Sequence, residues 1–397
     1  MRIVIISDWF AEKMGYAENC LPKALASLGH EVHLVTSNVQ VYFDSPNYKE
    51  IYEPFIGPPV VPCETKQLDG YTLHRLPYTR WRGRLRIQGL LAKLRSLRPQ
   101  IVQTFDAWSV TTYEAALAKP VLRYKLFTGN HICASVFPLA NGTAVMGKRA
   151  RVKWFATVSR PGRLVSYLTE KCYPATVDCA DIALRFLGVQ ERKISVCPLG
   201  VDTQSFSPVA NEAARNARLE LRRQLGFAPT DIVCIHTGRF SQDKNPLCLA
   251  QAIERLVSQA ESFRGLFLGG GPQESAIRAC PGSVVHPFVS ARDLPPFYRA
   301  ADIAVWPTQE STSMLDAAAC GIPLVISDHV AAIERVQGNG IKYQESDPGD
   351  LSRALLSLRD VGARAQLGDF GAVKMAREFS WTSIAHRRLE DYKAVLR

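Results

Sequence analysis

Short apolar runs alternate along this chain with segments whose apolar residues recur at helical spacing. Residues 2–7 and 31–36 are apolar runs, and residues 18–28 between them have the helical period. Runs without polar alternation are typical of strands that are covered on both faces, as in parallel sheets. The pattern therefore predicts an α/β chain of strand–helix–strand units.

The same pattern continues to the end of the chain. Further strands are predicted over residues 71–76, 99–104, 124–128, 194–197, 231–237, 265–269, 301–306 and 323–327, and helices over residues 182–189, 209–227, 314–320 and 381–397. Residues 85–97 predict a basic amphipathic helix, and the proline-rich residues 39–68 predict an irregular segment. At 397 residues the chain exceeds the roughly 250–300 residues of one core, which indicates two domains.

The net charge of +11 is concentrated in the first half of the chain. Residues 1–205 hold 26 basic and 16 acidic residues, whereas the remainder holds 22 and 21. Residues 71–104 contain eight basic residues and no acid. Such a surface attracts polyanions or an anionic membrane, with Trp81 and the leucines of residues 85–97 at the lipid interface. The alternative is a solvated basic face whose leucines point into the core.

The cysteines and the N-terminus indicate a reducing compartment. The ten cysteines form no C-x-x-C pair and have no histidine cluster beside them, which favours buried thiols over disulfides or a zinc site. The N-terminus lacks signal-peptide features, and no apolar run reaches the ~20 residues of a membrane span. We expect a cytoplasmic protein.

A polar loop between the strands 301–306 and 323–327 is the richest stretch in chemistry. Its candidate ligand-binding residues are Glu310, Ser311, Thr312, Ser313, Met314, Leu315 and Asp316. Free N–H groups at the start of the following helix suit an anion such as phosphate. Alternatively, Ser313 and Asp316 form a capping box and serve only to start the helix.

A second loop carries two cations and a glycine. Gly238, Arg239 and Lys244 follow the strand 231–237, and Pro246 starts a helix. An arginine bonds phosphate oxygens in a bidentate way and a lysine adds a point charge, although both could be ordinary surface cations. Gly270, in a run of three glycines, allows backbone to approach a ligand, but the run lacks the pattern of a dinucleotide site.

These motifs resemble those of the retaining glycosyltransferases of family 4. Residues 315–325, LDAAACGIPLV, are similar to the family's E-A-x-A-x-G-x-P-V, with Asp316 in the place of its second Glu and Glu310 in the place of its first. The loop between these two acids is two residues shorter here. Residues 198–208, PLGVDTQSFSP, are similar to P-x-G-V-D-x-x-x-F-x-P, and residues 238–244 match G-R-x-x-x-x-K.

The resemblance implies the GT-B fold, which is two Rossmann-like domains facing an interdomain cleft. Residues 1–205 would form the acceptor-binding domain and residues 206–378 the nucleotide-sugar-binding domain. Residues 379–397 would form a helix that packs back on the first domain.

The implied activity is retaining transfer of a hexosyl group from a nucleotide-diphosphate sugar in glycan or polysaccharide biosynthesis. The acceptor would be a saccharide or a lipid-linked saccharide, reached at an anionic membrane surface on the inner face; nucleic acid is not an expected partner. The nucleotide sugar is a co-substrate and no other cofactor is implied. No D-x-D triplet stands in a suitable loop, which favours a metal-independent reaction.

The family's roles transfer to individual residues of this chain. Arg239 and Lys244 would neutralise the diphosphate, Asp316 would bind the ribose hydroxyls, and Glu310 the sugar hydroxyls. The catalytic set is His131, Glu310, Arg239 and Lys244, with His131 close to the reacting carbon. The remaining donor contacts would come from Gly15 near the phosphates and from Phe288 and Val289 near the base.

Two other functions are compatible with these residues. One is a GT-B nucleotide-sugar epimerase, which would turn over the donor without releasing nucleotide. The other is a non-catalytic nucleotide-sugar-binding protein, for which the shortened acid loop is an argument.

Overall fold

The computed structural model describes residues 1–140, 142 and 144–397. The chain forms two compact units: Met1–Leu199 with Trp381–Arg397, and Gly200–Ser380. The sequence placed the corresponding boundaries after residues 205 and 378. Both units contain a largely parallel sheet with helices, so the predicted α/β class is confirmed.

The first unit is built around a seven-stranded sheet. Its strands are β1 (Arg2–Ser7), β2 (Glu31–Ser37), β3 (Thr65–Leu68), β4 (Tyr71–Leu76), β5 (Tyr78–Trp81), β6 (Arg84–Ile87), β7 (Ile101–Thr104), β8 (Lys125–Asn130) and β9 (Lys171–Pro174). The sheet order is β3-β4-β2-β1-β7-β8-β9, and only β3 runs antiparallel to its neighbour. β5 and β6 form a separate hairpin.

Helices cover both faces of this sheet. They are α1 (Ala17–Ser27), α2 (Glu53–Ile56), α3 (Leu90–Leu97), α4 (Val110–Leu122), α5 (Lys148–Trp154), α6 (Arg160–Leu168) and α7 (Val177–Arg185). Alternate residues of β1 enter different cores, with Ile3 and Ile5 in one and Val4 and Ile6 in the other. A central strand therefore needs apolar residues at every position, which is why it reads as a continuous apolar run.

The second unit has a six-stranded sheet in which all strands are parallel. Its strands are β10 (Ile232–Arg239), β11 (Phe263–Gly270), β12 (Ser283–His286), β13 (Ile303–Trp306), β14 (Leu324–Ser327) and β15 (Gly340–Tyr343), in the order β12-β11-β10-β13-β14-β15. Its helices are α8 (Glu212–Gln224), α9 (Pro246–Ser258), α10 (Glu274–Ala279), α11 (Pro295–Ala300), α12 (Ser313–Ala319), α13 (Pro348–Ser357) and α14 (Val361–Lys374).

The C-terminal helix, α15 (Trp381–Leu396), returns to the first unit. Ile384 and Leu389 join the core that contains Ile3 and Ile5. The Tyr392 hydroxyl donates to Gln103 Oε1 at 2.9 Å in the buried interior. The helix is therefore an integral part of the first unit.

Single-turn helices complete the secondary structure. Tyr48–Tyr52, Phe155–Ser159 and Met375–Phe379 are π-helical, and Ala134–Val136, Glu191–Lys193 and Ile333–Arg335 are 3-10 helices. In the described residues, none of the helices combines the length and the apolarity that crossing a bilayer requires.

The helix predicted over residues 85–97 is confirmed only for its last eight residues, and its predicted start is wrong. Residues 78–87 form the β5–β6 hairpin, and helix α3 begins only at Leu90. Arg82 and Gly83 at the hairpin turn both have positive φ, as tight hairpins require, and the positive φ of Gly89 separates β6 from α3. Leu90 and Leu94 are buried in the core, whereas Leu91 is 46% exposed, so the leucines do not share one lipid-facing surface.

Three other predicted segments differ in the structure. Residues 194–197 form no assigned strand but lie along β9, with an isolated bridge between Cys172 and Ile194 and a Cys197 amide that donates to the Pro174 carbonyl at 2.9 Å. The helix predicted over residues 182–189 lies at Val177–Arg185, because Thr176 Oγ1 accepts from the Cys179 amide and starts it earlier. The irregular segment 39–68 contains α2 and β3.

An aspartate joins helix α8 to the central strands of the second unit. Asp302, which precedes β13, binds Arg218 Nη2 at 2.6 Å and Arg222 Nη1 at 3.0 Å. Its Oδ2 also accepts from the Val233 amide of β10 at 2.8 Å. Arg222 is buried, so its charge depends on this carboxylate.

Replacing Asp302 should destabilise the second unit. Asp302→Asn leaves the buried Arg222 charge without its counter-ion, which costs about 3–5 kcal/mol of unfolding free energy. Urea titration with hydrogen exchange of the β10 and β13 amides as the readout measures this loss of unfolding free energy. The control is Glu220→Gln, which removes an exposed pair with Arg223 on the same helix and should leave stability unchanged. Equal effects of the two substitutions would contradict this role.

Candidate functional site

The candidate residues of the second unit lie at the carboxyl ends of three neighbouring strands. Parallel pairing of β10 with β11 and with β13 places the loops that follow these strands on one edge of the sheet. Those loops hold Gly238, Arg239, Lys244, Gly270 and residues 310–316. Phe288 also belongs here, because a Cβ at Gly270 would lie 3.7 Å from its ring.

One of the two predicted cations lies in contact with the acidic loop, and the other pairs with an acid of its own loop. Lys244 Nζ lies 3.4 Å from the Glu310 carbonyl oxygen, and Thr308 Oγ1 donates to the Asp243 carbonyl. Arg239 pairs with Asp243 at 3.2 Å, and its side chain remains 38% exposed. The sheet edge thus carries two partly exposed cations, Lys244 beside Glu310 and Arg239 in an ion pair with Asp243, and both are donor types that an anionic ligand requires.

Glycines allow the backbone at the ends of β10 and β11 to approach closely. Gly269 and Gly271 have φ of +154° and +148°, and a Cβ at Gly269 would lie 1.8 Å from the Gly238 carbonyl oxygen. The Phe240 amide donates to the Gly270 carbonyl at 2.9 Å, and the Gln273 amide donates to the Phe240 carbonyl at 2.9 Å. Only glycine permits this approach, so the run of three glycines shapes the site.

The start of α12 differs from the free helix end expected from the sequence. The amides of Met314 and Leu315 donate to the carbonyls of Ser311 and Thr312, at 3.3 and 2.9 Å, because the chain already turns before the helix. The Ser313 amide donates to Ser311 Oγ at 3.3 Å. These groups therefore have partners before any anion binds, and α12 is only seven residues long.

The side chains of the acidic loop separate into two groups. Met314 and Leu315 are buried in the core, so only their backbone could contact a ligand. Val289 is partly buried and packs on the same core. The capping box is not formed: the N-cap is Thr312, and Asp316 lies beyond the position that a capping residue occupies. Helix capping therefore does not explain Asp316.

Asp316 is an unusual carboxyl group. It keeps a small exposed area although protein atoms surround most of it. Burial, and then the nearby Asp202 carboxylate, raise its pKa to about 8. Most Asp316 side chains are therefore protonated at pH 7. A ligand that donates hydrogen bonds to this group would favour its ionised form and lower its pKa.

Sequence reasoning missed His236 and Trp306, which lie on β10 and β13 at this edge. Burial lowers the pKa of His236 to about 4, so its imidazole is neutral. Its Nδ1 donates to the Val305 carbonyl at 3.0 Å, which leaves Nε2 as an acceptor 3.6 Å from the Cβ position of Gly238. Within the described residues, His236 Nε2 and Trp306 Nε1 have no hydrogen-bond partner. Both residues stand inside apolar runs that predict buried strands, so the pattern does not single them out as site residues.

His131 and Gly15 lie in the first unit. His131 directly follows β8, is half-buried, and has its ring 5.6 Å from that of Phe105. Gly15 lies exposed in the loop between β1 and α1, where its carbonyl accepts from Cys20 Sγ at 3.7 Å. Both residues therefore stand at strand–helix connections, as expected.

Three carboxyl groups that sequence reasoning did not identify gather at the carboxyl edge of the first sheet, the edge that also holds Gly15 and His131. Burial, followed by the Asp106 charge and opposed by a hydrogen bond from Thr111, raises the pKa of Asp8 to about 7. Burial also raises the pKa of Glu18 to about 7 and that of Asp106 to about 6. Neighbouring carboxyl groups with such pKa values can accept or share protons at neutral pH.

Two family models match the chain. The model of Glycosyltransferase Family 4 matches residues 21–205, and the model of Glycosyl transferases group 1 matches residues 231–360. Together these matches cover about four fifths of the sequence.

Two curated relatives with the same name match part of the chain. A D-inositol 3-phosphate glycosyltransferase from Xylanimonas cellulosilytica is 33% identical over 238 residues, covering 55% of this chain and 55% of the relative. A protein of the same name from Geodermatophilus obscurus is 30% identical over 242 residues, covering 55% of this chain and 51% of the relative. This chain therefore spans about half the length of the curated relatives it matches.

Solved structures resemble the chain over its full length. Alr3699/HepE from Anabaena in complex with UDP has a TM-score of 0.69 at 16% identity, covering 99% of this chain and 100% of that chain. Sucrose-phosphate synthase from Thermosynechococcus elongatus also has a TM-score of 0.69 at 16% identity, covering 100% and 99% of the two chains. At these identities the likeness establishes the fold.

The raised pKa of Asp316 predicts a pH-dependent stability. Between pH 4 and pH 8 the folded chain keeps a proton at Asp316 that the unfolded chain has lost. The contribution of this group to the unfolding free energy is therefore fully present below about pH 4. It is lost as pH rises toward 8, by at most about 1.4 kcal/mol per pH unit.

Urea unfolding across this pH range tests the assignment. Asp316→Asn should reduce the slope by the contribution of one proton, because Asp8, Glu18 and Asp106 of the first unit still have raised pKa values, whereas Asp369→Asn, an exposed substitution in the same unit as Asp316, should leave the slope of the parent. A parent slope that persists in Asp316→Asn would show that Asp316 is not the group with the raised pKa.

Proposed function

The chain belongs to glycosyltransferase family 4 and has the GT-B fold, and from this membership we propose that it transfers a hexosyl group from a nucleotide-diphosphate sugar. The proposed reaction retains the anomeric configuration, uses no metal ion, and takes a saccharide or lipid-linked acceptor in glycan biosynthesis. The observation that carries the proposal is the edge of the second sheet, where Lys244 contacts the Glu310 carbonyl, Arg239 pairs with Asp243 in the same strand–helix connection, and the protonated Asp316 lies on the helix that follows Glu310.

The donor would bind along this edge in three parts. The diphosphate would meet Arg239 and Lys244, which are exposed enough to reach it. The ribose hydroxyls would donate to Asp316, and the base would lie near Gly270 and Phe288, which form one wall. A solved neighbour of the same fold binds UDP, which supports a nucleoside diphosphate as the ligand class.

The chemistry we propose depends on stabilising the leaving group. As the glycosidic bond breaks, negative charge develops on the diphosphate, and fixed cations that neutralise it lower the barrier. Arg239 and Lys244 would supply this charge, and Glu310 and His131 would orient the sugar. The neutral His236 behind Gly238 leaves the two side-chain cations as the charge that faces the diphosphate.

Two features of the first unit suit an acceptor with both hydroxyl and anionic groups. Asp8, Glu18 and Asp106 can accept hydrogen bonds from hydroxyls, and residues 1–205 carry nearly all the excess positive charge. The curated relatives are named D-inositol 3-phosphate glycosyltransferases, and an inositol phosphate combines both kinds of group. We therefore favour an anionic polyol or saccharide acceptor for this chain, met in the cytoplasm or at its membrane surface.

The β5–β6 hairpin is the element we propose for membrane contact. Trp81 is 49% exposed near its turn, and the Arg82 guanidinium lies 4.9 Å from its ring centre. Arg84 lies over the Trp108 ring at 4.6 Å. Other arginines of this stretch have acidic partners: Arg75 is buried against Glu12 and Glu64, and Arg86 pairs with Glu114. The exposed tryptophan with adjacent arginines is typical of lipid-interface residues.

Removing a phosphate contact should weaken binding of nucleoside diphosphate. We expect Arg239→Ala to cost about 1.5–3 kcal/mol of UDP, GDP or ADP binding, because a charge-assisted hydrogen bond is lost. Calorimetry with the matching nucleoside should show equal affinity for variant and parent. Arg353→Ala removes an exposed arginine of the same unit and serves as the control. Unchanged diphosphate affinity in Arg239→Ala would remove this residue from the site.

The hairpin proposal predicts salt-sensitive binding to anionic vesicles. Binding should weaken between 0.1 and 1 M salt, as the Debye length falls from about 10 Å to about 3 Å. The double variant Arg82→Glu/Arg84→Glu should lose sedimentation with anionic vesicles and keep nucleotide binding. Arg215→Glu/Arg359→Glu makes the same charge change in the second unit and should sediment like the parent. Equal recovery with neutral and anionic vesicles would leave the basic stretch as a solvated face.

A further inference from the structure

Two cysteines and an aspartate meet at the carboxyl ends of β8 and β9. Cys133 lies in the loop after β8, and Asp178 and Cys179 lie in the first turn of α7. Cys133 Sγ and Cys179 Sγ are 3.9 Å apart, although the residues are 46 positions apart in the chain. One carboxylate oxygen of Asp178 and the two sulfurs all lie within 4.8 Å of one another.

The distances fit metal coordination better than a disulfide. With Zn–S bonds of about 2.3 Å, two sulfurs of a tetrahedral site lie about 3.8 Å apart, which is close to the observed separation. A disulfide requires about 2.05 Å between the sulfurs. Two thiolates and one carboxylate are also donor types that zinc accepts.

The two segments that carry these groups are held in place independently of any ion. Asn130 Nδ2 donates to the Cys179 carbonyl at 2.8 Å, and the Ala134 amide donates to Asp178 Oδ2 at 2.7 Å. Ile132 and Ala134, on either side of Cys133, pack on the same core as Ile182 of α7. Little ordering of the backbone would therefore be required when an ion binds.

Hydrogen bonds also orient the donor atoms. Thr176 Oγ1 donates to Cys179 Sγ at 2.9 Å and also contacts Asp178 Oδ1. Cys133 Sγ lies 3.6 Å from the His131 carbonyl oxygen. Groups that surround and orient metal ligands in this way raise the affinity of a site.

We propose that Cys133, Cys179 and Asp178 bind one divalent ion of the zinc class, with a water molecule in the remaining position. Binding replaces two S–H bonds by two metal–sulfur bonds and releases both protons to solvent, with no change of oxidation state. The ion would join the loop that carries His131 to helix α7. It takes no part in the metal-independent transfer proposed for the donor site. No sequence spacing indicates it, because its ligands come from a loop and a helix that are far apart in the chain.

Metal content and thiolate spectroscopy test this site directly. The intact chain, reduced, incubated with ZnCl₂ and desalted, should retain one zinc per chain. Titration of the metal-free chain with CdCl₂ should give the ultraviolet charge-transfer band of cadmium–thiolate bonds, saturating at one ion per chain with release of two protons.

Matched substitutions locate the ligands. Cys133→Ser and Cys179→Ser should abolish the band, and Asp178→Asn should weaken Cd²⁺ binding at least about ten-fold. Cys63→Ser, at an exposed cysteine, and Asp181→Asn, at an exposed carboxylate on α7, should bind Cd²⁺ like the parent. Cys133→Ala, at the less buried position, repeats the test should the Cys179 variant fail to fold.

Three results would overturn the proposal. The first is a parent chain that retains less than about a tenth of an equivalent of zinc. The second is a metal that survives in the Cys133→Ser/Cys179→Ser double variant. The third is a chain whose Cys133 and Cys179 form a disulfide in air, with no metal uptake after reduction.

Discussion

Parallel strand pairing determines where chemistry can lie in this chain. Each strand must return over the sheet through a helix, so the loops after all parallel strands open at the same edge. In the second unit this constraint brings residues from the loops after β10, β11 and β13 together, although up to 78 positions separate Gly238 from Asp316. In the first unit it places Asp8, Asp106 and His131 after strands β1, β7 and β8 of one sheet.

The electrostatics of the two sheet edges follow from partial burial. Cations that are exposed, such as Arg239, keep their charge and can bind an anion at little cost in desolvation. Carboxyl groups that are mostly enclosed hold their protons, as Asp316 does with a pKa of about 8 and Asp8 with a pKa of about 7. A ligand rich in hydroxyls and phosphates would match both kinds of group. Its hydroxyls would donate hydrogen bonds to the carboxyls, and its phosphates would pair with the cations.

Sequence patterns predicted the parts of the fold that depend on local order. β1 and β10 can be recognised in the sequence because both of their faces are apolar. The start of α9 can be recognised because Pro246 begins it. The β5–β6 hairpin was missed because Arg82 and Gly83 adopt a turn that charge and leucine spacing do not indicate. Of the motif positions, Lys244 and Glu310 are in contact and Arg239 lies at the same sheet edge, because each follows a strand that the sequence pattern predicts.

Features of the site that depend on contacts between residues far apart in the chain could not be predicted from the sequence. The raised pKa of Asp316 comes first from burial and then from Asp202, which lies 114 positions away in the chain. The pairing of Cys133 with Cys179 depends on the adjacency of β8 and β9, and the neutral His236 on its enclosure beside Trp306. The amides at the start of α12 were predicted to be free, but a preceding turn already supplies their partners.

The most direct test of the account is the number of protons released when a nucleoside binds. Uridine, guanosine or adenosine would be titrated calorimetrically at pH 7 in two buffers with different ionisation enthalpies. If ribose hydroxyls donate to Asp316, its pKa falls on binding and close to one proton is released, a release that disappears in Asp316→Asn. Binding of equal strength in parent and variant, with no proton released by either, would contradict the account.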